Sequence, residues 1–332
     1  MALAAILGLS GPELTEQEAR FLSDAQPWGM ILFRRNIDHG PGGAERLQRL
    51  TAGIRATLGR DAPIFVDQEG GSVQRLRPPL ARPWVDAAMQ AGGARAIWLR
   101  HRLMAAELAA LGIDANCAPV IDLGGPATHD FLRKRVWSDD PDDLIARSRA
   151  ACGGLLAGGV LPVIKHLPGH GGADADSHHA LPVDPRPLED LLARDFAVTR
   201  ALASQRLGMS AHVLYPALDP DLPGTLSPAV IAFLRVELGF DGLLMTDDIE
   251  MNALGGSIGA RAAKAIAAGC DLVLHCSGDM AGMQEVAAHA GALAGQAALR
   301  AARALALRKL PEPIDTATLQ AELEALQGGP VG

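Results

Sequence analysis

Gly242-Leu243-Leu244-Met245-Thr246-Asp247-Asp248 is an apolar run that ends abruptly in two carboxylates. A strand with one wet face alternates apolar and polar side chains. A run that stays apolar belongs to a strand covered on both faces, as in a parallel sheet flanked by helices. Seven other stretches repeat the pattern: Ala4–Gly8, Met30–Phe33, Pro63–Asp67, Asn116–Val120, Leu161–Lys165, Met209–Val213 and Leu272–His275. Four of the seven end in a glycine or a polar residue, at Gly8, Asp67, Lys165 and His275.

Helical periodicity fills the intervals, over Glu16–Ser23 behind the capping residue Thr15, then Gly43–Leu58, Ala91–Ala110 and Asp139–Ala157. Leu188–Leu202, Ser227–Leu238, Gly259–Ala268 and Met280–Leu305 complete the set. The Asp139 segment opens with acids and a proline, as a helix N-terminus favours. Eight strands, each followed by a helix, predict an α/β chain folded as a single (β/α)8 TIM barrel over residues 1–332. Residues 310–332, with Pro311 and Pro313 before a short amphipathic pattern, read as a C-terminal helical extension. A doubly wound open sheet is the alternative, but no Gly-x-Gly-x-x-Gly opens a helix after the first strand.

Composition narrows the function. The chain has 332 residues, 48% of them hydrophobic, with a net charge of −8 and scattered Lys and Arg. It can bury a large core and carries no basic stripe, so neither disorder nor a nucleic-acid partner is expected. Four cysteines, none in a C-x-x-C pair, are too few for a disulfide scaffold. Met1–Gly8 lacks the positive flank of a signal peptide and is read as a first buried strand. No run reaches a membrane span of ~18 apolar residues. A cytoplasmic protein with reduced thiols and no membrane partner is the expectation.

A barrel places its chemistry at the C-terminal ends of its strands. Here those ends carry Asp67-Gln68-Glu69, Lys165-His166, His212, Asp247-Asp248 and His275. Ionisable groups capping apolar strands cost desolvation unless they are paired or used, and five strands doing so point to a polar pocket. The densest stretch runs from Lys165 to Pro182, KHLPGHGGADADSHHALP, and holds four of the ten histidines. It can be read as a zinc site, as a polar loop without function, or as a catalytic loop. In the catalytic reading Asp176 orients His178, fixing its tautomer and making it a general acid/base near neutrality. Asp247 is the leading nucleophile or base, with Asp248 capping the next helix as the structural alternative for that residue. A strand-tip carboxylate can attack an anomeric carbon to give a covalent glycosyl-enzyme.

Lys165-His166-x-Pro168-Gly169-His170-Gly171, Asp176-Ser177-His178 and Thr246-Asp247-Asp248-x-x-Met251 together resemble glycoside hydrolase family 3, and within it the bacterial β-N-acetylhexosaminidases of the NagZ type. Gly29–Asn36 and Val66-Asp67-Gln68-Glu69-Gly70-Gly71-x-Val73-Gln74-Arg75 agree, and the likeness runs from about residue 25 to 280. The resemblance implies Asp247 as nucleophile, His178 as acid/base assisted by Asp176, and Asp67, Arg75, Arg135, Lys165 and His166 as sugar-binding residues. It implies no metal and no organic cofactor, a small amino-sugar glycoside or muropeptide as substrate, and no obligate protein partner. Val136-Trp137 stands where the family often has Ser-Phe or Ala-Phe, and Leu167 replaces a usual Phe. Trp137 is expected to stack near the sugar. A phosphorylase or β-glucosidase of the same family, a zinc hydrolase and a non-catalytic sugar-binding barrel are the competing readings.

Overall fold

The computed structural model describes residues 1–126, 128–173 and 180–328. Its main sheet is wholly parallel and is built from β1 (Leu3–Leu7), β2 (Pro27–Leu32), β3 (Ile64–Val66), β4 (Ala115–Asn116), β5, β6 (Leu207–Ser210), β7 (Leu243–Asp248) and β8 (Leu272–His275). Strand β5 comes in two pieces, Leu161–Pro162 and Ile164–Leu167. The first pairs with β4 and the second with β6, while β1 pairs with both β2 and β8. These pairings close the sheet into a (β/α)8 barrel.

Alternate residues along each strand explain the unbroken apolar runs. Ala4 and Ile6, Leu161 and Val163, Leu243 and Met245, and Leu272 and Leu274 pack together as the barrel interior. Leu3, Ala5 and Leu7, with Ile164, Leu244 and Val273, face the helical layer instead. Both faces are therefore dry, and every second residue keeps facing the barrel axis until the strand ends.

The helices are α1 (Glu16–Ala25), α2 (Gly43–Leu58), α3 (Gly93–Ala110), α4 (Asp130–Arg133), α5 (Pro141–Ala157), α6 (Leu188–Ala193), α7 (Asp195–Ala201), α8 (Pro228–Val236), α9 (Ile258–Ala268), α10 (Met280–His289), α11 (Gly295–Leu305) and α12 (Thr316–Leu326). Thr15 caps α1 in a capping box with Glu18, and Asp140 caps α5 ahead of Pro141. The pattern expected over 188–202 is broken at Arg194 into α6 and α7. The pattern over 280–305 is likewise split, because Gly291 takes a φ of 70° and the chain turns back. Its amides and carbonyls there serve the barrel floor: Gly291 accepts from Ala4 N–H, and Leu293 N–H donates to Ala2. Helix α12 lies against α3, with Leu323 buried and Glu322 paired through both carboxylate oxygens to Arg95. No helix among the described residues is long and apolar enough to cross a membrane.

Candidate active site

At the C-terminal mouth of the barrel, inward parity decides which strand-tip residues reach the cavity. Phe65 faces the axis, so Asp67 does; Val163 does, so Lys165 does; Met245 does, so Asp247 does. Their side chains line a cavity of about 230 Å³ together with Glu69, Arg75, Arg135, His166 and His170. That is below the ~300 Å³ of an ordinary ligand pocket, a size for one small polar group rather than a polymer. His275, one residue out of phase, points into the helical layer, where a side chain on Gly282 of α10 would strike its ring. His212 is also buried outside the cavity lining, between Thr225 Oγ1 at 2.7 Å and the Asp248 carbonyl at 3.0 Å.

The cavity wall is a chain of alternating charges. Arg75 Nη2 donates to Asp67 Oδ2 at 2.9 Å, and Lys165 Nζ donates to Asp67 Oδ1 at 2.9 Å and sits 2.7 Å from Glu69 Oε1. Arg135 closes the chain with two bonds to Glu69, both at 2.9 Å. Burial alone would push Asp67 up, but Lys165 and then Arg75 hold it far below the ordinary carboxylate range. Glu69 is likewise held down by Arg135 and Lys165 against its burial. Lys165 and Arg135 are raised in return, since the adjacent carboxylates overcome the cost of desolvating each cation. All five groups are thus charged and already oriented, which suits them to hold a polar ligand without rearrangement.

A second cluster surrounds Asp247. His166 places Nδ1 2.7 Å from Asp122 Oδ2 and Nε2 3.8 Å from Asp247 Oδ2. Asp122 also accepts the backbone N–H groups of His166 and His170, at 3.1 and 2.9 Å. Despite full burial, His166 and these bonds pull Asp122 down to about 2. Asp247 is fixed differently. Its Oδ1 accepts the Asp248 N–H at 2.8 Å, and burial is outweighed by His166 and His212, leaving it ionised below its usual value. Asp248 shares the cavity edge but not the environment: burial and the Glu250 charge push it up to about 7.

Every sugar-contact residue expected from the sequence (Asp67, Arg75, Arg135, Lys165 and His166) lines this one cavity, as does Asp247. Asp176 and His178 lie outside the described residues, in a segment that continues from Ala173. Two expectations change. Trp137 is not in the cavity lining; it packs behind it, 5.6 Å from the His101 ring, with the Arg100 guanidinium 5.2 Å from its own. Phe33 and Phe131 are the aromatic walls instead, each with an arginine against it, Arg75 at 4.9 Å and Arg135 at 5.7 Å. Asp248 does not cap the next helix, since Ser257 does; Asp248 Oδ1 instead accepts from the N–H groups of Glu250 and Cys276.

Two further residues organise the site. Glu69 lies within the quoted 67–75 stretch, and its buried charge two residues past a strand-tip Asp was a signal. Asp122 ends the run NCAPVID, two residues beyond the Asn116–Val120 stretch, and is a strand-end carboxylate like Asp67 and Asp247. Among the described residues no group of three or more His, Cys, Asp or Glu side chains is arranged to hold a metal ion.

Residues 4–305 match the glycosyl hydrolase family 3 N-terminal domain. The chain belongs to glycoside hydrolase family 3. This family 3 chain is 40% identical over 284 residues to a β-hexosaminidase of Alkalilimnicola ehrlichii, an alignment covering 82% of the chain and 80% of that relative. A β-hexosaminidase of Methylococcus capsulatus is 39% identical over 283 residues, covering 81% of each. Among solved structures, native NagZ from Neisseria gonorrhoeae superposes with a TM-score of 0.83 at 31% identity, covering 98% of this chain and 96% of that one. The same gonococcal protein has been solved in complex with N-trifluoroacetyl-D-glucosamine. The chain is thus a family 3 glycoside hydrolase of the β-hexosaminidase group.

Proposed function

We propose that the protein is a retaining exo-β-N-acetylglucosaminidase that removes terminal β-linked N-acetylglucosamine from small soluble glycosides. The observation that carries this reading is the isolation of Asp247. Asp67 and Glu69 each have two cationic partners within 3 Å, whereas the nearest such group to Asp247 among the described residues is His166, at 3.8 Å. A desolvated, ionised carboxylate at the barrel mouth, held through one oxygen, is suited to attack an electrophilic carbon with the other.

In the proposed reaction Asp67, Arg75, Arg135, Lys165 and His166 hold the sugar. Asp247 attacks C1 as the C1–O bond breaks, and His178, oriented by Asp176, gives its proton to the departing oxygen. His178 then takes a proton from water, which attacks C1 and expels Asp247, so that configuration is retained. Residues 174–179 enter this scheme on the sequence alone. The substrate class proposed is the muropeptide of cell-wall recycling, N-acetylglucosamine linked to anhydro-N-acetylmuramyl peptide, hydrolysed in the cytoplasm without metal or cofactor.

Charge balance favours hydrolysis over phosphorolysis. Among the described residues the cavity's cations Arg75, Lys165 and Arg135 are matched by Asp67, Glu69 and Asp247, with no excess positive charge to receive a phosphate dianion. The test is Asp247→Ala on 4-nitrophenyl β-N-acetylglucosaminide, with a fall in kcat of roughly 10³ or more expected. Near wild-type turnover by a folded variant would remove Asp247 from the reaction. Proton NMR of the first-formed sugar should show the β anomer, and added phosphate should yield no sugar 1-phosphate.

A further inference from the structure

Asp248 is a cavity carboxyl, beside the proposed nucleophile, that has no role in that scheme. It lies where the pairing of β7 with β8 slips between Met245 and Asp248, which brings it to the cavity edge beside Asp247 although it is the next residue along. Its Oδ1 is fixed by the N–H groups of Glu250 and Cys276, at 3.2 and 3.3 Å. Its Oδ2 accepts no hydrogen bond from the described residues.

Among the described residues no cation forms an ion pair with it. From its own loop come Asp247 and Glu250, both anionic neighbours, and from β8 come the Cys276 thiol, pushed up by burial, and His275, which lies 3.5 Å from Glu250. The cations that approach are engaged elsewhere. Arg35 donates to the carbonyls of Leu9 and Cys276, Arg261 to those of Ile249 and Met251, and His212 Nε2 meets the Asp248 carbonyl rather than its carboxyl. Arg75, Lys165 and Arg135 are held by Asp67 and Glu69. A carboxyl in this position keeps its proton to higher pH than an ordinary carboxyl, and a protonated carboxyl is a hydrogen-bond donor.

We propose that Asp248 is a second sugar-contacting carboxyl at the mouth, acting as a neutral donor to a hydroxyl or ring-substituent oxygen of the bound glycoside, and that its ionisation weakens sugar binding. The inference rests on the reading of this cavity as the sugar site. Its structural requirement is the free Oδ2 at the cavity edge; the upward shift of the group to about 7 places the change within reach of experiment.

Binding separates this role from any acid/base chemistry, because an equilibrium with a non-reacting sugar needs no proton transfer. The probe is N-trifluoroacetyl-D-glucosamine, followed by ¹⁹F NMR titration of the full-length protein. For a donor that titrates near 7, the protonated fraction falls from about 0.9 at pH 6 to about 0.1 at pH 8, so Kd should rise close to tenfold. Asp248→Asn keeps an acceptor for the Glu250 and Cys276 N–H groups and a donor toward the cavity, and its Kd should stay within about threefold across that range. Glu250→Gln removes the largest neighbouring charge and should move the midpoint of the wild-type curve to lower pH. A wild-type Kd that does not change with pH, or a D248N protein with the wild-type pH dependence, would overturn the role of Asp248 while leaving the sugar site intact. No binding by wild type at any pH would overturn both.

Discussion

Replacing Glu69 by glutamine tests the charged wall at its most connected point. The substitution keeps the shape but removes the carboxylate that holds Arg135 through two 2.9 Å bonds and Lys165 at 2.7 Å. Arg135 and Lys165 side chains are only 11% and 3% exposed, so water cannot replace the lost partner. Breaking a buried pair from one side costs about 3–5 kcal/mol, and the lower end applies because Lys165 keeps Asp67 and Arg135 keeps the Phe131 ring. At about 2.1 cal/mol/K per residue the unfolding entropy of a chain this long is about 0.7 kcal/mol/K, so about 3 kcal/mol lowers Tm by about 4 °C. The sign with pH follows from the downward shift of Glu69. Its contribution is fully present above the unfolded carboxyl value near 4.5 and is lost as pH falls through the lower folded value. Calorimetry of wild type and Glu69→Gln should therefore show a gap of about 4 °C at pH 7 that narrows below pH 5. Equal melting at pH 7, or a gap that persists into acid while both proteins still unfold cooperatively, would refute the account of the wall as a mutually dependent charge chain.

Asp122→Asn should lower kcat/KM by roughly 10–100-fold, because His166 loses the carboxylate that fixes its Nδ1 and hence the face it turns to Asp247; steady-state kinetics with unchanged circular dichroism is the check. Since Asp122 is held at about 2, its stabilising contribution is present above the unfolded value near 4 and is lost only as pH drops through 2, so the variant should melt with weaker acid dependence. Trp137→Phe should leave KM within about twofold, because the indole packs on Arg100 and His101 behind the cavity, while lowering Tm by a few degrees. Exhaustive chelation should leave turnover of the chromogenic glycoside unchanged; activity lost and then restored by zinc would favour the metallohydrolase reading of the histidine-rich loop.

The barrel was legible because its strands are dry on both faces, which writes an unbroken apolar run, and because inward parity delivers Asp67, Lys165 and Asp247 to one end. Where sequence reading failed, local pattern gave way to packing. The 280–305 helix is interrupted because Gly291 and Leu293 bond to the first strand, a contact between opposite ends of the chain that periodicity cannot register. His275 looked like a site residue because chemistry at a strand end was counted without its phase. Trp137 stands two residues from Arg135, but proximity in sequence does not give a shared direction: Arg135 lines the cavity and Trp137 does not. Asp122 escapes a reading by apolar runs because the β4 ladder holds only Ala115–Asn116, and the chain pairs again with Lys165 only through a bridge at Val120. The segment holding Asp176 and His178 lies outside the described residues, so its catalytic reading stands on the sequence.

The alternating row Arg75, Asp67, Lys165, Glu69, Arg135 joins residues from three separate segments at the barrel mouth. Selection for a different sugar therefore cannot adjust one contact at a time. A single neutral replacement would strand the charge on either side of it, so altered specificity should arise through paired substitutions, or through uncharged neighbours such as Phe33 and Phe131. In a laboratory evolution experiment on this pocket, the first tolerated changes should collect at those aromatic walls, and changes within the row should surface only in twos.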